Sequence, residues 1–86
     1  MIALVGSPKK QSIETRAFAK KLGFAIRRAR VEMALSQDEL AWRCDIHRAY
    51  MGVIERGEQN ITLVKLAQVC RGLGIKPSNL LTRIGH

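Results

Sequence analysis

Apolar residues recur at intervals of three and four along most of this chain, and the stretches between them are short. From about Ser12, Phe18, Leu22, Ala25, Ile26, Ala29 and Met33 fall on one stripe, with Arg16, Lys20 and Arg27 opposite, which predicts a long amphipathic first helix. Gly23 inside it costs about 1 kcal/mol relative to Ala, leaving open a weak point or a start near Lys20. Phe24 and Val31 lie off the stripe, free to meet residues 1–11 or a second subunit. Ser36 followed three residues later by Glu39 is a capping box, so a second helix starts there and buries Leu40, Ala41 and Cys44. After Asp45 and Ile46 comes HRAYMGVIERG, over 47–57. As a helix it places Tyr50, Met51 and Ile54 on one side, and Arg48, Ala49, Gly52, Val53 and Arg56 on the other. About three residues separate these two helices, so they cross steeply, with small Ala41 at the closest approach and Ile46 at the corner. That is a helix-turn-helix.

The rest of the chain continues the pattern. A polar loop over 58–60 precedes Thr62, which caps a fourth helix with Leu63, Leu66, Ala67, Cys70 and Leu73 inward, ended by Gly72 and Gly74. Pro77 opens a last helical stretch carrying Leu80, Leu81 and Ile84. These three aliphatics exceed what one small core needs. With no strand pattern, repeat or low-complexity tract, the expected class is all-α with five helices.

Charge changes the picture. The 86 residues suffice for one domain, and 15 Lys and Arg against 7 Asp and Glu give a net charge of +8 and a pI near 10.4. Such a balance calls for a polyanionic partner, nucleic acid or an anionic membrane surface. The excess is at the front: through residue 30 there are eight basic residues and one acid, Glu14. Residues 1–11, with Lys9 and Lys10 and no period, are expected to form a flexible basic arm, leaving 12–86 as the domain. The apolar run 2–5 is too short for a signal or a membrane span, so the expected location is the cytoplasm. The first helix lacks the bulky apolar face and Trp of a membrane-surface helix. One Trp, one Tyr and two Phe provide few rings for stacking single-stranded bases. Cys44 and Cys70 read as buried free thiols. Cys44 and His47 have no second ligand pair, and no nucleophile stands beside a base, so neither a metal, a cofactor nor an enzyme is expected.

The run LSQDELAWRCDIHRAYMGVIERGEQNITLVKLAQVCRGLGI resembles the five-helix, lambda-repressor-like DNA-binding domain of the Xre and Cro/C1-type phage repressor family, over about residues 20–84. Within it, YMGVIERGEQNITL is most similar to the controller proteins of restriction–modification systems, small dimeric regulators of their own operon. The resemblance implies double-stranded DNA as partner and residue roles to match. Gln37 and the start of the second helix would hold a backbone phosphate. Arg48, Ala49, Tyr50, Gly52 and Val53 occupy recognition-helix positions, Arg48 suited to guanine O6 and N7, Ala49 and Val53 to thymine methyls. Tyr50 could equally give its ring to the core and its hydroxyl to a phosphate. His47, Arg56, Gln59 and Asn60 complete the DNA-facing set. Arg30 and Glu55 match a salt bridge joining the first helix to the recognition helix, and Leu80, Leu81 and Ile84 stand where the family dimerises. RNA polymerase is held open as a further partner.

Departures from the family pattern are also visible. Ala34 stands where a helix-ending Gly is usual, requiring either a left-handed Ala or a different turn, and Asp45 replaces another Gly. Gln59 occupies a loop position often basic in controller proteins. Two other readings stay open. An antitoxin-type interaction module would need a toxin-binding tail, and only Gly85 and His86 follow Ile84. A non-specific or RNA-binding basic protein is the other.

Overall fold

The computed structural model describes residues 12–86, so the arm expected over residues 1–11 lies outside the described residues. Five helices follow in order: α1 (Ile13–Glu32), α2 (Gln37–Cys44), α3 (Arg48–Glu55), α4 (Leu63–Leu73) and α5 (Pro77–Arg83). The described residues contain no strand. Three helix starts are written into the sequence. Ser12, Ser36 and Thr62 each accept the N–H three residues on, at 3.0 Å, and Glu39 closes the capping box by accepting the Ser36 N–H at 2.7 Å. The Glu39 carboxyl is held below the usual carboxylate range, chiefly by that backbone N–H.

Both departures at helix ends resolve in favour of the left-handed conformation. Ala34 has φ 58°, and the Leu35 and Ala34 N–H groups return to the Arg30 and Val31 carbonyls at 3.2 and 2.9 Å, which is a Schellman closure made without Gly. Asp45 does the same at φ 56°, with Ile46 N–H on the Ala41 carbonyl at 2.9 Å. A left-handed Ala costs about 1 kcal/mol, offset here by two carbonyls that would otherwise lack a partner.

One core joins all five helices. Ile26, Leu40, Met51, Val69 and Leu80 are fully enclosed, with Ala25, Ala29, Ala41, Cys44, Ile54, Leu66, Cys70 and Leu73 around them and Ile46 filling the corner between α2 and α3. Burial pushes both thiols up from their ordinary pKa, so Cys44 and Cys70 stay protonated, and Cys44 donates to the Val69 carbonyl.

Several expected core positions are corrected. Phe18 and Met33 are exposed, because a 20-residue helix of about 30 Å overruns so small a core at both ends. In α4 the stripe is Leu66, Val69, Cys70 and Leu73. Leu63 is 82% exposed and Ala67 is exposed, both lying off that stripe. Gly72 does not end α4; it is a buried point of contact with Cys44, and Gly74 at φ 70° is the stop. Leu80, expected at a dimer contact, is 0% exposed. The short link from α4 folds α5 back so that this residue enters the monomer core, leaving Leu81 and Ile84 half-buried at the surface.

Gly23 does not weaken α1, which runs through it without a break. It is where α1 meets the end of α3: a Cβ there would come within 2.5 Å of the Ile54 carbonyl oxygen and 2.6 Å of that of Glu55. One turn earlier, a Cβ on Gly57 would come within 2.5 Å of the Lys20 Cα. Two glycines thus let α1 lie directly on the C-terminal end of α3.

Candidate nucleic-acid interface

The angle at which α3 is presented is set by polar ties. Arg30 on α1 grips Glu55, the last residue of α3, through two parallel bonds, Nε to Oε2 at 2.8 Å and Nη2 to Oε1 at 3.0 Å. Its Nη1 donates to the Leu35 carbonyl at 2.9 Å. The Gln37 Nε2 adds a third donor to Glu55, at 3.0 Å, so α1, α2 and α3 meet at one carboxylate. Such a fork fixes orientation as well as distance. At the other end of the motif, the Gln68 Nε2 donates to the Cys44 and Asp45 carbonyls at 2.6 and 3.1 Å, locking the turn onto α4.

With α3 held this way, its outer side forms a shallow open concavity lined by Gln37, His47, Arg48, Ala49, Gly52 and Arg56. Six residues predicted to face DNA are therefore brought together. Their surroundings differ from the sequence expectation in three respects. Gly52 is not an outward residue but the buried floor, roofed by the Arg56 and Gln37 side chains, with Arg56 Nη1 3.1 Å and Gln37 Oε1 3.4 Å from where a Cβ would stand. The side-chain N–H of Gln37 is committed to Glu55, which makes it part of the scaffold. His47 is the N-cap of α3, its Nδ1 accepting the Ala49 N–H at 3.3 Å.

Charge at the rim is held only by exposed ion pairs. The Arg48 guanidinium pairs through Nε with Asp38 on α2, and that of Arg56 pairs with Glu58 at 3.1 Å. All four side chains are more than half exposed, and pairs of that kind contribute about 0–1 kcal/mol, so a phosphate or base edge can replace the carboxylate cheaply. The remaining predicted residues stand outside the concavity. Val53 and Tyr50 are half-buried, the Tyr50 ring lying 5.7 Å from the Lys65 ammonium, and Gln59 and Asn60 are exposed on the loop after α3.

Sequence reasoning passed over Asp38 and Trp42. Nothing local distinguishes Asp38 from any acid in the first turn of a helix, where the dipole favours it. Trp42 could have been found, since it falls off the Leu40, Ala41 and Cys44 stripe; it is 84% exposed beside Leu35, Asp38, Glu39 and Arg43. Among the described residues no three His, Cys, Asp or Glu side chains cluster as metal ligands, and no helix is long and apolar enough to cross a membrane.

The family described as a helix-turn-helix domain matches residues 21–82. Control protein C.BamHI of Bacillus amyloliquefaciens is 39% identical over 67 residues, covering 74% of this chain and 83% of that protein. The crystal structure of the restriction-modification controller protein C.AhdI from Aeromonas hydrophila superposes with a TM-score of 0.72 at 36% identity, over 74% of this chain and 97% of that one. The restriction-modification controller protein C.Esp1396I, solved as a tetramer in complex with its natural 35 base-pair operator, superposes at 0.73 with 26% identity, over 86% of this chain and 92% of that one.

Proposed function

The chain belongs to the helix-turn-helix family that includes the restriction–modification control proteins, and from that membership we propose that it is a DNA-binding transcriptional regulator, a homodimer on an inverted-repeat operator. The observation that carries the reading is the concavity on α3, whose small floor at Gly52 and Ala49 lets the helix approach a base edge while Arg48 and Arg56, held only by exposed ion pairs, can turn toward it. Arg48 is the base-reading side chain, giving two donors to guanine. Ala49 and the exposed part of Val53 take thymine methyls, while Arg56, Gln59, Asn60 and the Tyr50 hydroxyl contact backbone or flanking bases. The protein acts by binding and not by catalysis, in the cytoplasm, on the operon of a restriction–modification system.

One recognition helix reads too few base pairs to select a single genomic site, so the reading needs two copies. Leu81 on α5 and Ile84 at its C-terminal cap are the residues left for that contact once Leu80 is assigned to the monomer core. A two-fold arrangement sets the helices about 34 Å apart, so half-site centres should lie about 10 base pairs apart. RNA polymerase is a further partner where the dimer sits beside a promoter, which footprints of the two together would test.

The deciding experiment selects a site from a random duplex library and compares Arg48→Ala with wild type on that site and on unrelated duplex. The expected loss is about 1–3 kcal/mol on the selected site, with relaxed preference at one base pair of each half-site and unrelated DNA bound as before. An equal fall on both duplexes would make Arg48 a phosphate contact and overturn its assignment.

A further inference from the structure

The family match begins at residue 21, yet α1 begins at Ile13, so about two turns of this helix stand outside the matched segment. Those turns cover little core: none of residues 12–22 is buried, and burial starts at Gly23. Their position is nonetheless defined. Gly23 abuts the carbonyls that end α3, and Lys20 abuts Gly57, which follows α3. Positions four and seven apart share a helix face, so Arg16, Lys20 and Gly23 form one stripe, and Arg16 lies about 6 Å beyond Lys20 along the axis. This stripe faces the end of α3 and runs on past it.

The charge along it is of one sign. Arg16 and Lys20 are exposed, and the one acid of α1 before Glu32 is Glu14, which lies on a different face. Glu14 shares that face with Phe18, four residues on, whose ring stacks on His86 beyond α5 at 4.9 Å. Across the gap the nearby acid, Glu58, is already paired with Arg56. Ile13 at the outer end is the large apolar side chain on this stripe, too little for a protein partner to bury, whereas two cations that make no ion pair among the described residues, beside the end of a recognition helix, suit a row of phosphates.

We propose that Arg16 and Lys20 form a second contact with duplex DNA, gripping the backbone that flanks each half-site beyond the reach of α3. The proposal rests on the reading of α3 as the DNA-facing helix. It gives this chain a longer footprint than the matched segment alone supplies, and it adds affinity without sequence preference, because phosphates carry none.

The test is an Arg16→Ala/Lys20→Ala double variant, with Arg16→Gln/Lys20→Gln as a second form that keeps side-chain length. Binding is measured across a salt series on three probes: the selected site with long flanks, the same site trimmed to its half-sites, and unrelated duplex. Each lost phosphate contact lowers the slope of log K against log salt by about 0.9, so a dimer losing four should show a slope shallower by about 3 to 4. The ratio of specific to unrelated binding should hold within about twofold, and trimming should weaken wild type while leaving the variant unchanged. Thermal midpoints should match, since neither side chain is buried. An unchanged salt slope with unchanged flank dependence overturns the proposal while leaving α3 as the reader. A double variant that sediments as monomer where wild type is dimeric also overturns it, making the stripe a self-contact. If wild type selects no site but the slope still falls on unrelated duplex, the flank contact stands and the sequence-specific reading fails.

Discussion

The three-helix junction at Glu55 offers a sharp test of how α3 is held. Replacing Arg30 with Met removes both bonds of the fork and the bond to the Leu35 carbonyl, and it strands a carboxylate that is 3% exposed. That carboxylate closes α3, where the helix's own dipole is negative, and it keeps only the Gln37 amide as a donor. Breaking a buried pair costs about 3–5 kcal/mol, and this variant belongs in the upper part of that range. Glu55→Leu strands Arg30 instead, but at 12% exposure, with the Leu35 carbonyl retained, its cost should be nearer about 3 kcal/mol. Against a total of about 4–13 kcal/mol for a domain of this size, either change is large. The double variant leaves no stranded charge. Its half-exposed Gln37 can turn to water, so stability should return to within about 1.5 kcal/mol of wild type. Urea unfolding followed by circular dichroism at four corners of the cycle measures the coupling, expected to be at least about 3 kcal/mol. Single variants within about 0.5 kcal/mol of wild type, or additive effects, would refute the account of the junction. The double variant should also lose specific DNA binding more than unrelated binding, because the fork sets the angle of α3.

Gly23→Ala should destabilise by about 1–3 kcal/mol despite the better helix propensity of Ala, because the new Cβ meets two backbone oxygens that cannot move aside. A raised thermal midpoint would show that α1 and α3 are not in contact there. Leu80→Ala should cost about 2–5 kcal/mol as a core cavity. Its neighbour Leu81→Lys should keep the fold and yield monomers at micromolar concentration; sedimentation as a dimer would remove α5 from the self-contact. Burial pushes the Cys44 and Cys70 thiols up, so at about pH 8 a thiol reagent should label them only as fast as the protein unfolds. Rapid labelling of folded protein would contradict their enclosure.

Much of this domain was legible in one dimension because its determinants are local. A cap such as Ser36 with Glu39 acts within four residues, a stripe such as Leu40, Ala41 and Cys44 acts within two turns, and the short corner at Ile46 leaves few ways to cross two helices. The helix-turn-helix and the outward placing of Arg48, Ala49 and Arg56 follow from those pieces, while Gln37 and His47 joined the DNA-facing set through the family resemblance. Which residue is buried by which partner is a different question, and only the packing of distant segments answers it. Leu80 and Leu81 are chemically identical neighbours, yet the fold-back of α5 puts one in the core and leaves the other at the surface. Periodicity alone placed Leu63 and Ala67 inside and passed over Val69, because a stripe shows that a helix has an apolar face but not where along it the neighbouring helix begins and ends. Gly23 read as a weak point until the carbonyls of Ile54 and Glu55, some thirty residues away, were seen against it. The sequence by itself determined the helices, their caps and the turn, since these rest on contacts a few residues apart. The tertiary structure decided the depth of each side chain, the pairing of Arg48 with Asp38 and the setting of α3 on α1, since these rest on contacts between residues the chain brings together only when folded.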